Sequence, residues 1–131
     1  MASLFTKIIN GEIPSYKIAE DENYYAFLDI NPLKKGHTLI VPKVEVDYFF
    51  ELDDETISGM MVFAKKVARA IDRAIECKRV GVVVLGMEVP HAHVHLIPLN
   101  KEIDASFTQP KLKLSEKEFE EIAWKIRGAM E

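Results

Sequence analysis

His91-Ala92-His93-Val94-His95-Leu96-Ile97 alternates imidazoles with small or apolar side chains. In an extended chain, alternate side chains point to the same face. A strand over His91 to Pro98 therefore sets three imidazoles on one face, roughly 7 Å apart along the strand. Ala92, Val94 and Leu96 then turn the other way, into a core. The chain has four histidines in all, and the fourth is His37.

The segments on either side extend the pattern into a sheet. Upstream, Val80 to Leu85 is expected to be a buried strand, and Gly86 to Pro90 a tight connection. Further back, His37 to Val41 is β-rich and ends at Pro42. Tyr16 to Ala19 and Tyr24 to Leu28 form two more strands across the polar turn Glu20-Asp21-Glu22-Asn23. Asn31-Pro32 closes the second, because the residue before proline resists helix. Ser3 to Asn10 forms a short helix with Leu4, Phe5, Ile8 and Ile9 on one face and Gly11 as its stop.

The longest helical signal runs from about Asp54 to Lys78. Ile57, Met60, Met61, Ala64, Val67, Ala68, Ile71, Ala74 and Ile75 make one apolar stripe. Asp53, Asp54 and Glu55 place negative charge at its start. Lys101 to Leu114 reads as a polar linker. Ser115 with Glu118 forms a capping box, opening a helix with Phe119, Ile122, Ala123, Ile126 and Met130 on its apolar stripe. Trp124 falls off that stripe, packing at its edge or meeting a partner chain. Connections too short for parallel crossovers predict an α+β domain built on an antiparallel sheet. Residues 1–100 form the domain core. Residues 101–131 are a linker and C-terminal helix, packed on the same domain or on a dimer partner.

A chain of 131 residues with 48% hydrophobic and 29% charged side chains fits one globular domain. Its formal net charge of −4 argues against a nucleic-acid ligand. No apolar run spans a bilayer, the N-terminus lacks a secretory pattern, and the single thiol, Cys77, suits a reducing compartment. A cytoplasmic protein that binds no membrane is the expectation. Cys77, near the end of the long helix, is expected to be structural. No P-loop or G-x-G-x-x-G pattern appears.

Three chemistries compete for the histidines. They are satisfied polar groups; or they hold zinc through neutral imidazole nitrogens; or they divide nucleophilic and acid–base work. In the last case one neutral imidazole attacks phosphorus, splitting a hard displacement into two easier ones. A second protonates the leaving group and activates water, and a third fixes the nucleophile's tautomer.

The pattern His91-Ala92-His93-Val94-His95-Leu96-Ile97 resembles the signature of the histidine triad (HIT) family, His-φ-His-φ-His-φ-φ with φ apolar. Leu4-Phe5-Thr6-Lys7-Ile8-Ile9 with Glu12-Ile13-Pro14 resembles the family's opening. Ala26-Phe27-Leu28-Asp29-Ile30-Asn31-Pro32 resembles its ribose-binding segment, and Gly36-His37-Thr38-Leu39-Ile40-Val41-Pro42-Lys43 its fourth-histidine strand. The resemblance ends near Leu99.

It implies a five-stranded antiparallel sheet with one long helix and a C-terminal helix, in a homodimer that joins two sheets into ten strands. It implies a nucleotidyl hydrolase or transferase acting at the α-phosphate, without cofactor or bound metal. His93 would be the nucleophile, held in tautomer by the His91 carbonyl. His95 would lie near the leaving group, and His37 would hydrogen-bond into the His91 side of the network. Asp29 would accept from the ribose hydroxyls, and Phe5, Ile8, Phe27 and Ile30 would form the base pocket.

Two positions depart from the pattern. Glu88, within Gly86-Met87-Glu88-Val89-Pro90, stands where the family commonly has a phosphate-contacting hydroxyl. Glu45 stands where many relatives have histidine. The Hint-like branch, hydrolysing purine nucleoside 5′-phosphoramidates or related nucleotidyl conjugates, is the expected activity. The alternatives are a Fhit-like dinucleoside polyphosphate hydrolase and a nucleotide-binding module with weak catalysis.

Overall fold

The computed structural model describes residues 2–131. Helix α1 (Leu4–Ile9) begins where the Ser3 side chain accepts from the Thr6 amide and ends before Gly11, whose φ of 79° few other residues adopt. Strands β1 (Lys17–Glu20) and β2 (Tyr24–Leu28) turn at Asp21, whose carboxylate accepts from the Asn23 and Tyr24 amides. Strand β3 (Thr38–Pro42), helix α2 (Asp54–Ala74), strands β4 (Arg79–Val83) and β5 (Val94–Leu99), and helix α3 (Glu116–Ala129) follow. Short 3-10 turns cover Phe49–Glu51 and Glu102–Ala105.

The five strands form one antiparallel sheet in the order β1-β2-β3-β5-β4. Strand alternation sorts the two faces. Tyr24, Ala26, Leu28, Ile40, Val94 and Leu96 pack under α2 and α3 with Met60, Val67, Ile71, Ile122 and Ile126. Tyr25, Phe27, Leu39 and Val41 pack on the opposite face under Phe5 and Ile8 of α1. The first layer makes the fold's main core; the second makes the floor of a site. Since both faces are covered, β2 and β3 are buried at every position.

Helix α3 lies on its own chain, against α2 and β1. The capping box at Ser115 and Glu118 is present, Phe119 stacks on Tyr16 at 4.8 Å, and Arg127 donates to the Lys17 carbonyl at 2.7 Å. Trp124 is 71% exposed and is not part of the core.

Three expectations need correction. Strand β4 is not buried: it is an edge strand, and Val82, Val84 and Leu85 are exposed. Helix α2 stops at Ala74 rather than Lys78, because Ile75 is already extended (φ −121°, ψ 126°). There Ile75 packs over Gly36, where a Cβ would come within 3.1 Å of its Cγ1. Cys77 thus lies in the connection to β4, half-buried. Finally, Met61 faces solvent, while Phe63 and Ala70 complete the buried stripe of α2. Among the described residues, no helix is long and apolar enough to cross a membrane.

Candidate active site

The triad only partly follows the strand. Strand β5 begins at Val94, so His91 and His93 precede it. Both rings still reach the α1 side of the sheet, each edge-on to Phe5, at 5.8 Å and 5.0 Å. His95, opposite Leu39 in the β3–β5 register, emerges on that side too. His93 and His95, 5.0 Å apart, line a cleft of about 380 Å³. His91 does not line it: the ring is wholly buried behind the cleft wall.

Hydrogen-bond partners assign the tautomer of every ring. The Ser3 hydroxyl donates to His91 Nδ1 at 2.7 Å, so His91 Nε2–H donates to the Pro42 carbonyl at 2.8 Å. His93 Nδ1–H donates to the His91 carbonyl at 2.7 Å, which leaves the Nε2 lone pair unshared. The Leu33 amide donates to His37 Nδ1 at 3.0 Å, so His37 Nε2 carries a proton and donates to His95 Nδ1 at 2.9 Å. His95 Nε2 therefore carries a proton as well. The cleft thus holds one imidazole lone pair, on His93, beside one imidazole N–H, on His95. His37 joins His95 and not the His91 side of the network as expected. The β3–β5 pairing puts Leu39 against His95, and His37 one step earlier along the same face.

Burial favours the neutral form of His37, His93 and His95. It lowers His37 to about 4, helped by the Lys111 ammonium. It lowers His95 to about 3, with His37 and His93 adding to the shift. His93 is also lowered by burial, but the His91 carbonyl and the Asp29 carboxylate oppose the change. A neutral imidazole is what nucleophilic attack requires.

Behind His91 lies a network that sequence reasoning missed. Glu45 accepts from the Ser3 amide at 2.7 Å and from the Thr6 hydroxyl at 2.6 Å. These bonds hold the Glu45 carboxyl down at about 2. They tie the start of α1 to the loop after β3 and aim Ser3 at His91. The sequence marked Glu45 only as a departure from the family pattern, and nothing in it pointed from Glu45 to Ser3.

The expected ligand-binding residues do come together. Phe5, Ile8, Phe27, Asp29, Ile30 and Glu88 all line the cleft. Phe5 meets Phe27 edge-on at 5.5 Å, and both also belong to the small core, whereas Ile30 is 65% exposed. Asp29 accepts from the Asn31 amide at 2.8 Å, and its other oxygen lies 3.5 Å from His37 Nε2. Phe107 and Lys111 also line the cleft, although the sequence placed them in a plain linker.

The donor set bears on the zinc alternative. Asp29, His37 and His95 bring ligand atoms within 4.8 Å of one another. A metal-bound histidine donates its second ring N–H. His37 Nδ1 instead accepts from Leu33, so Nε2 is protonated and has no lone pair for a metal. These residues do not fit a zinc ion.

The HIT domain model matches residues 10–102. Over the full chain, similarity is to an uncharacterized HIT-like protein of Borreliella burgdorferi, 37% identical over 94% of each chain. It is also to the adenosine 5′-monophosphoramidase hnt1 of Schizosaccharomyces pombe, 35% identical over 97% of this chain and 100% of that protein. The crystal structure of a Hit-like protein from Bartonella henselae superposes with a TM-score of 0.86 at 32% identity, covering 98% of this chain and 96% of that one. The likeness thus continues past Asn100 into α3. From the tautomer-locked triad, the five-stranded sheet and these relatives, the chain belongs to the HIT family of nucleotide-binding hydrolases, in its Hint-like branch.

Proposed function

We propose that the protein hydrolyses purine nucleoside 5′-phosphoramidates, or related nucleotidyl conjugates, through a nucleotidyl-His93 intermediate. The observation that carries this is the paired tautomer: a lone pair on His93 Nε2 beside a proton on His95 Nε2. The base lies between Phe5, Ile8, Phe27 and Ile30, and the ribose hydroxyls donate to Asp29. That sets the α-phosphorus against His93.

In the first step, the His93 Nε2–P bond forms and the P–N bond to the leaving amine breaks. The amine takes up a proton through His95 as it departs. In the second step, water gives a proton back through His95 and its oxygen bonds to phosphorus. The His93–P bond breaks, releasing the nucleoside monophosphate. His91 acts as a positioning residue, because its carbonyl holds the His93 proton on Nδ1. His37 does the same for His95. Neutral histidines and the loop over Gly86–Val89 form the phosphate side, with Glu88 facing His93 there.

The working form is proposed to be a homodimer in which β4 pairs with its counterpart. The exposed Val82 on this unpaired edge supports that pairing, which removes an aggregation-prone strand edge. Sedimentation at twice 14.9 kDa is the expected result, and a 14.9 kDa species the contrary one. The activity is tested with a panel of adenosine conjugates followed by chromatography of released nucleotide. Adenosine 5′-phosphoramidate is expected to yield AMP. Calorimetric binding of AMP with no turnover of any conjugate would leave only a nucleotide-binding module.

A further inference from the structure

The cleft is asymmetric in charge and in ring packing. Its floor is a row of edge-on rings: Phe5 to His93 at 5.0 Å, His93 to His95 at 5.0 Å, and His95 to Phe107 at 4.8 Å. Phe5 ends the row at the proposed base pocket. Phe107 ends it at the opposite side, beyond His95. The segment that carries Phe107 lies outside the matched HIT domain. It is anchored by Asp104, which accepts from the Asn100 and Lys101 amides and pairs with Lys34 at 3.2 Å. It is anchored again where the Leu112 amide donates to the Pro32 carbonyl at 2.8 Å.

Lys111 projects from this segment over the Phe107 ring, its ammonium 5.3 Å from the centroid. Among the described residues, it is the one Lys or Arg lining the cleft. Its hydrogen bond is to the Phe107 carbonyl at 2.8 Å, and it forms no ion pair with a carboxylate. Its charge is felt at His95 and His37, while that of Glu88 is felt at His93. Asp29 also lines the cleft, with its oxygens turned to the Asn31 amide and to His37 Nε2.

We infer that Phe107 and Lys111 form a leaving-group subsite beyond His95 that accepts an anionic group, a carboxylate or a further phosphate, carried by what departs from the α-phosphorus. The inference rests on the hydrolase proposed above and narrows its substrate class. An ammonium with a single neutral partner can exchange that bond for a charge-assisted one to the ligand. The Phe107 ring covers the aliphatic part of the same group and shields the ion pair from water. Conjugates of acidic amines, or of phosphate-bearing leaving groups, are therefore favoured over those of uncharged amines.

The test compares two adenosine 5′-phosphoramidates of matched length, one made with β-alanine and one with propylamine. The parent protein is expected to hydrolyse the carboxylate conjugate with the higher kcat/KM. Lys111→Ala is expected to lower kcat/KM for the β-alanine conjugate about tenfold more than for the propyl conjugate, while Lys111→Arg retains most of the preference. An equal fall on both conjugates would overturn the inference by placing Lys111 on the shared nucleotide. No change in the ratio would overturn it as well. In either case, continued turnover leaves the hydrolase assignment standing. No turnover of either conjugate, or of adenosine 5′-phosphoramidate, overturns both.

Discussion

His93→Ala is expected to lower kcat for adenosine 5′-phosphoramidate by about a thousandfold or more, with AMP binding retained. The size of the effect follows from the division of labour. Of the two rings in the cleft, only His93 offers a lone pair, because its Nδ1–H is fixed on the His91 carbonyl. His95 cannot replace it, since its Nδ1 is occupied by His37 and its Nε2 carries the proton. Binding survives because Asp29, Ile8, Phe27 and Ile30 are untouched. Stopped assays with chromatographic detection, beside calorimetry with AMP, separate the two properties. Parental turnover in the variant would place the chemistry elsewhere.

His91→Ala is expected to cost about 3 kcal/mol of stability, although the ring never meets the cleft. The side chain is wholly buried and joins two distant parts of the chain. It accepts from Ser3 at the start of α1 and donates to Pro42 at the end of β3. Alanine leaves a void and takes from the Pro42 carbonyl its hydrogen bond to the ring, at about 1–3 kcal/mol where water cannot enter, while Ser3 Oγ keeps its bonds to Thr6. Urea unfolding measures the loss. A change below about 1 kcal/mol would mean that the cavity hydrates or collapses. The same variant is expected to lose activity as well, since the ring's bonds to Ser3 and Pro42 fix the backbone at residue 91, whose carbonyl orients His93.

The sheet's interior was legible because local alternation reports it. Tyr24 to Leu28 and Thr38 to Pro42 carry apolar groups toward both layers. The edge position of β4 was not legible. Val80 to Leu85 has the composition of a buried strand, but whether a strand lies at an edge depends on strand order. The exposed valine is now understood as a candidate interface rather than a core position.

The site shows the same division. The face shared by His93 and His95 follows from a spacing of two. The partner of His37 depends on a register between strands 58 residues apart, and the burial of His91 on contacts with Ser3. Neither can be seen in a short window. Phe107 and Lys111 sit in a segment with no periodicity, so only the anchors at Asp104 and Leu112 bring them to the cleft.

The most direct test of the account is the mass of the enzyme during turnover. A sample mixed with adenosine 5′-phosphoramidate and quenched in alkali, where phosphohistidine persists, is digested and analysed by mass spectrometry. One adenylyl group on His93, absent from the His93→Ala protein, is the predicted result. Rapid AMP release with no adenylylated histidine, or with the group on His95, would contradict it.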